Sequence, residues 1–388
     1  MNKKLVSLVL SGLIVLNNTG SLENVYADNT QTKELITNED TKTTQVIYLE
    51  NGEGSRIAGS GTKNSPYQNI RTALEKIQDG GTIKLVGDVL YHKYEVGSQG
   101  DALPLFINKN ITIEGENGAS LCVRAPIQLG ANVIFKSFNL QMVPEYTLGR
   151  TLGQFIERSA TIYVAGNKLT LDNVNTKFGS NPEQYNERPY ISGGAYKNYD
   201  IKGNKSIINI INPNEETRFS GIYAGDYYKD RNLDVEINLD GKVIDNKIYT
   251  GGHDHDLNGN VTVNLGTKSN ITEFDKEHHN GELNVNLNKD TYIVDFDAKN
   301  IDNLTLQENS GIILSKDATF DVNNVTLKND ARIDFRDMTN NPTVKGNFNG
   351  EDVVDDTKKG GTIFLNNNQT LDIKGMLSGT TRLNNRGV

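Results

Sequence analysis

The stretch Val261-Thr-Val-Asn-Leu265 returns as Leu283-Asn-Val-Asn-Leu287, then as Leu304-Thr-Leu306 and Val325-Thr-Leu327. In each copy apolar and polar residues alternate, so one side of the backbone is apolar and the other polar. That is the signature of a half-buried strand. The copies start about 21 to 26 residues apart, a spacing shared with Ile111-Thr-Ile113 and Val133-Ile-Phe135. A fixed interval of that size is a solenoid period.

Two architectures use such strands. An antiparallel sandwich would place a turn signal every 8 to 12 residues or so, joining hairpins. Here Asn, Gly and Asp separate very short strands inside each period, as in Leu169-Thr-Leu-Asp-Asn-Val-Asn-Thr176. Asn and Gly tolerate the left-handed conformation that a sharp corner needs. The pattern predicts an all-β, right-handed parallel β-helix, with Asn stacked between coils and sharing amide hydrogen bonds.

Upstream, Ile70, Ala73, Leu74 and Ile77 lie on one helical face, Asn69 is a good N-cap and Gly80-Gly81 a stop. A short helix here would cover the open apolar end of the first coil. The predicted β-helix domain spans 45–388, with loop insertions around 145–240. Leu371 to Asn385 still repeats the strand pattern, which raises the expectation of a longer protein or of a partner on the last coil.

The first residues read as an address. Lys3 and Lys4 precede an apolar run from Leu5 to Leu16, and Val25-Tyr26-Ala27 offers small residues where a signal peptidase reads. The expected parts are a signal peptide over 1–27 and a polar, unstructured leader over 28–44. The apolar run is shorter than the ~20 residues a membrane span needs, so no membrane span is expected. The protein reads as secreted.

A single cysteine, Cys122, excludes an intramolecular disulfide, and its strand context predicts a buried, inert thiol. With 49 acidic and 40 basic residues and a net charge of −9, no basic face marks a nucleic-acid partner.

Gly59-Ser-Gly-Thr-Lys-Asn-Ser-Pro-Tyr-Gln-Asn-Ile70, the helix that follows and Asp79-Gly-Gly-Thr-Ile-Lys-Leu85 together resemble the opening of pectate-lyase-like β-helix modules of Gram-positive surface proteins. The remainder resembles the N-terminal region of large clostridial-type surface proteins. The resemblance covers about Gly59 to Val86 and implies the fold and a cell-surface setting. It leaves activity open, because the same opening occurs on enzymes and on adhesin-like modules.

For function, the aromatic insertions stand out. Tyr185, Tyr190, Tyr196 and Tyr199 come from one, and Tyr223, Tyr227 and Tyr228 from the next, with Arg188, Arg218, Glu187 and Asp226 among them. A ring with a polar tip suits sugar stacking and protein contact. These rings either form a contact patch between about Asn181 and Asp230 or pack their own loops onto the solenoid. The leading reading is a non-catalytic adhesin or carbohydrate-binding module with a glycan, matrix or cell-wall partner. The alternatives are a polysaccharide lyase or glycoside hydrolase, and a structural stalk. An enzyme would use outward acids, of which Glu114, Asp172, Asp234, Glu236, Asp295, Asp297, Asp321 and Asp334 are candidates.

No cofactor is required by this reading. Asp254, Asp256, Asn258 and Gly259 match the front half of a calcium loop, but Leu265 stands where the bidentate acid belongs. A looser calcium corner and a solvated turn both fit. His253 and His255 lie about one coil from His278 and His279, close enough to meet across the stack as a metal pair.

Overall fold

The computed structural model describes residues 44–50, 59–91, 103–142, 160–176, 188–214, 217–244, 247–353 and 359–384. The predicted signal peptide and almost all of the leader, with Tyr185 and Glu187, lie outside these residues. No helix among the described residues is long and apolar enough to cross a membrane.

The chain is a parallel β-helix. Among the described residues every pairing between strands is parallel, because each strand meets the equivalent strand one coil later. Each coil has three faces. Ile111–Glu114 pairs with Val133–Lys136 on the first, Ser120–Val123 with Asn139–Met142 on the second, and Leu105–Ile107 with Ile127–Leu129 on the third. The strand Ile111–Val123 runs across the first two faces by turning at Asn117 and Gly118, whose φ angles are 51° and 76°. Asn and Gly hold this left-handed geometry at little cost. Parallel strands linked by crossovers coil right-handed as a rule, owing to the intrinsic strand twist.

The alternation read in the sequence sorts residues as expected. On the first face the inward row climbs through Ile111, Val133, Leu169 and Ile208 and continues to Val325 and Phe348, all at most 4 % exposed. The period is less regular than the clearest strands suggest, with 19 residues separating Asn284 from Asn303 and 39 separating Thr170 from Asn209. Leu304 sits above Val285 rather than Leu283, since its strand begins earlier, at Ala298. Through the expected insertion region the ladder continues in register, and only the connections lengthen.

Outward asparagines bond between coils. Asn238, Asn264 and Asn286 each donate to the asparagine one coil below, at 2.7, 2.6 and 2.8 Å. Corner asparagines do the same: Asn258 donates to Asn232 and Asn280 to Asn258. The longer ladder thus lies on a strand face and the shorter one at a corner.

The helix is Ile70–Lys76, with Asn69 accepting from the Arg71 N–H at 2.8 Å. It ends at Ile77, before the glycines that were expected to stop it. Lys109 closes it by donating to the carbonyls of Leu74, Glu75 and Ile77, satisfying acceptors that a helix end leaves open. Ile70, Ala73, Leu74 and Ile77 are buried against the first two rungs. At the other end Leu377 and Leu383 are exposed. Cys122 is half-buried rather than fully buried, and burial pushes its thiol pKa up.

Candidate functional site

The third face carries one segment four times: Ile162-Tyr-Val-Ala-Gly166, Ile191-Ser-Gly-Gly-Ala-Tyr196, Ile222-Tyr-Ala-Gly-Asp-Tyr-Tyr228 and Ile248-Tyr-Thr-Gly-Gly-His253. The isoleucines point inward and are fully buried, so the residue after each points out. In register, Tyr163 lies under Ser192, Ser192 under Tyr223, and Tyr223 under Tyr249. The glycines follow because successive corners nearly touch. A Cβ on Gly193 would sit 2.2 Å from the Ala224 carbonyl oxygen, and one on Gly252 2.5 Å from that of Asp226.

Around this row the tyrosines form one cluster. Tyr163, Tyr196, Tyr223 and Tyr227 are buried, and Tyr190, Tyr199, Tyr228 and Tyr249 pack around them half-exposed. Tyr163 lies 5.5 Å from Tyr196 and 6.3 Å from Tyr227, and Tyr196 meets Tyr228 edge-on at 5.5 Å. Burial pushes the Tyr163 phenol well above its usual pKa, so it stays protonated. Of the tyrosines singled out in the sequence, Tyr196, Tyr223 and Tyr227 are buried within the cluster, and Tyr190, Tyr199 and Tyr228 keep part of their surface exposed. Tyr163 and Tyr249 were missed. Their signal was the fourfold Ile-led repeat, hidden because Ser192 replaces tyrosine in its second copy.

A buried ion pair ties the cluster down. Asp226 is fully buried and accepts from Arg231 Nε at 2.5 Å, from the Ala195 N–H at 3.2 Å and from the Tyr228 N–H at 2.7 Å. The Gln128 side chain accepts from the Tyr196 N–H at 2.7 Å. Of the two predicted arginines, Arg188 has its backbone bonded to Ser220, and Arg218 donates to the carbonyls of Thr217 and Lys242.

The proposed calcium residues have protein partners. Asp254 contacts His253 Nδ1 at 2.9 Å, and Asp256 accepts from Asn280 and His278, which hold its carboxyl below the usual range. Asn258 is a rung of the corner ladder. Among the four histidines, His253 stacks on Tyr227 at 5.2 Å, His255 faces Asp230, and His279 is buried between Thr250 and the Gly259 carbonyl. Among the described residues no group of three or more His, Cys, Asp or Glu is placed to hold a metal ion.

Beyond Tyr249 the third face becomes charged, since the next residue in its row is Asp275. A groove of about 550 Å³ opens there, lined by Glu273, Asp275, Lys276, Asp297, Asp302 and Asp321 among others. A β-bulge between Ala298 and Ile301, with Asn300 at φ 61°, breaks the strand at this point. Most of its acids are paired: Asp302 with Lys276 at 2.5 Å, Asp321 with Lys345 at 2.6 Å, Glu273 with Lys247 at 3.1 Å. Asp297 accepts the Thr319 N–H, and burial, with Glu273 nearby, raises its pKa. Burial works against the charge on Asp302 as well, but the Leu283 N–H and Lys276 outweigh it and lower its pKa. Of the predicted acids only Asp297 and Asp321 line this groove. Glu114 is held by Lys84 and Lys136, Glu236 by Lys205, and Asp334 by Arg336.

No family model, curated protein or solved structure matches this chain.

Proposed function

We propose that the chain is a secreted, cell-surface β-helix that binds a glycan or matrix surface without catalysis, through the half-exposed tyrosine rim of its third face. The observation that carries this reading is the division of the cluster. Its buried core fixes Tyr190, Tyr199, Tyr228 and Tyr249 in place, each half-exposed. Rings held this way lose little side-chain entropy on binding, and each offers an apolar face beside a hydroxyl. The signal-like N-terminus and the resemblance of Gly59 to Val86 to surface modules support the setting. The test is a glycan and matrix array probed with the chain from Asp28 and with its Tyr228→Ala/Tyr249→Ala variant. A selective signal that the variant loses supports the rim, and equal signals from both chains refute it.

A second reading, polysaccharide cleavage, is favoured by Asp297 and Asp302. They line one groove with pKa values displaced in opposite directions, as an acid and a base require. Product release from a polysaccharide panel that Asp297→Asn abolishes would replace the binding reading with this one.

A further inference from the structure

Cys122 is the single cysteine, so sulfur cannot tie one coil of this chain to the next. The third face holds a different pair of groups placed for a covalent bond between coils. Its outward row runs Tyr163, Ser192, Tyr223 and Tyr249, one residue per coil. Ser192 separates Tyr163 from Tyr223, so Tyr223 and Tyr249 are the tyrosines that occupy neighbouring places in this row.

Register brings these two rings face to face, with centroids 4.3 Å apart and planes 11° from parallel. Parallel strands direct both side chains the same way, which sets the carbons ortho to one phenol oxygen beside those of the other. Other contacts within the cluster are inclined. Tyr223 meets Tyr227 at 55° and 5.2 Å, Tyr190 meets Tyr223 at 40° and 6.4 Å, and Tyr196 meets Tyr228 at 88° and 5.5 Å. The steeper the inclination, the further a ring must turn before ortho carbons can meet, and close packing resists that turn. Exposure completes the arrangement. Tyr249 is half-exposed and open to solvent, whereas Tyr223 is 7 % exposed and is reached through the stack.

We infer that Tyr223 and Tyr249 are the site of an oxidative dityrosine cross-link, formed with hydrogen peroxide and a haem peroxidase as the oxidant. The peroxidase removes one electron from each ring, directly from Tyr249 and across the stack from Tyr223, and each phenol releases its proton. The two phenoxyl radicals join by one bond between ring carbons ortho to oxygen. The hydrogen on each joined carbon then moves to oxygen, which restores both phenols. The peroxide takes up the two electrons and two protons and leaves as two molecules of water. The new bond closes the chain between Tyr223 and Tyr249 into a loop, and restricts the unfolded state as a disulfide does. This staple is independent of any glycan bound at the rim.

The experiment treats the dilute chain from Asp28 with hydrogen peroxide and a haem peroxidase, then digests the monomer with trypsin for mass spectrometry. The tryptic peptides 219–229 and 248–268 should appear joined, at their summed mass less two hydrogens. Peptide 248–268 contains Tyr249 as its one tyrosine, while 219–229 also contains Tyr227 and Tyr228, so variants locate the bond. Tyr223→Phe and Tyr249→Phe keep the rings, are checked by circular dichroism, and should each lose the joined product. Tyr190→Phe should retain it. The joined product should also be lost when the chain is oxidised in urea, because the stack and not nearness in sequence selects the pair. Purified linked monomer should melt at a higher temperature than the unlinked chain. The inference is overturned if no joined product forms, if Tyr223→Phe still gives it, or if the unfolded chain gives as much. Coupling confined to dimers, through the 45 % exposed Tyr292 for example, would overturn it too. A linked monomer that melts no higher than the unlinked chain would overturn its role as a staple.

Discussion

Tyr223 and Tyr249 lie in register one coil apart, their rings 4.3 Å apart and 11° from parallel. This stacked pair joins the buried part of the tyrosine cluster, through Tyr227 at 5.2 Å, to its half-exposed rim. Core and rim are thus one packed unit, and damage to the core should be felt as lost stability before it is felt as lost binding.

Tyr163→Ala should cost about 3 to 5 kcal/mol, the usual range for truncating a buried aromatic. Tyr249→Ala, at the rim, should cost about 1 to 1.5 kcal/mol, close to the worth of one ring pair. Denaturant midpoints on the two variants check this, and equal losses would contradict the division into core and rim.

The Asp226–Arg231 pair should show the asymmetry of buried charges. Asp226→Ala strands the arginine and should cost about 3 to 5 kcal/mol, whereas the double change Asp226→Leu/Arg231→Met should recover part of that loss. Urea unfolding of the three chains measures it. A double variant less stable than the single one would show that the pair's hydrogen bonds to the Ala195 and Tyr228 amides matter more than its charge.

Asn264→Ala removes the bonds to Asn238 and from Asn286, and should cost about 2 kcal/mol at about 1 kcal/mol per bond. Asn264→Ala and Asn286→Ala should also couple in a double-mutant cycle, since they share one of those bonds. Strict additivity in thermal melts would mean that the ladder contributes nothing as a chain.

Stability should depend on pH through His279, whose pKa falls from 6.5 to about 4 because burial disfavours its charged form and Lys276 lies nearby, against the Gly259 carbonyl and Asp302. Between those values the unfolded chain binds a proton that the folded chain refuses. Stability should therefore fall as pH drops from 6.5 to about 4, by at most about 1.4 kcal/mol per unit, and this contribution should be flat outside that window. Glu114 and Glu236, held below 4.5 by Lys84 and Lys205, lose their contribution only at lower pH. Urea midpoints at several pH values should show the slope in wild type and lose it in His279→Gln.

Much of the fold was legible because strand alternation is local. Val261-Thr-Val-Asn-Leu265 declares its inward side with no reference to the rest of the chain, and its recurrence implies stacking. The site was less legible. Tyr190, Tyr199 and Tyr228 could be nominated from their crowding in sequence, but burial depends on what lies over a ring. That is why the burial of Tyr196, Tyr223 and Tyr227 could not be read from the sequence. The groove acids Glu273, Asp275 and Asp302 were not singled out in the sequence, because only the stacking of coils beside the bulge at Asn300 gathers them into one groove.

By itself the sequence determined that the chain stacks short parallel strands, which residues of each strand face the core, and where the capping helix lies. These follow from period two, from the recurrence of that pattern and from helical spacing, all properties of neighbours along the chain. The tertiary structure alone decided which outward residues become neighbours across coils. Coil length varies from 19 to 39 residues, so the partner of a given side chain is fixed only when hydrogen-bond register aligns the next strand. That register places Tyr249 on Tyr223 and Asn286 on Asn264, and the tyrosine cluster and the asparagine ladder exist because of it.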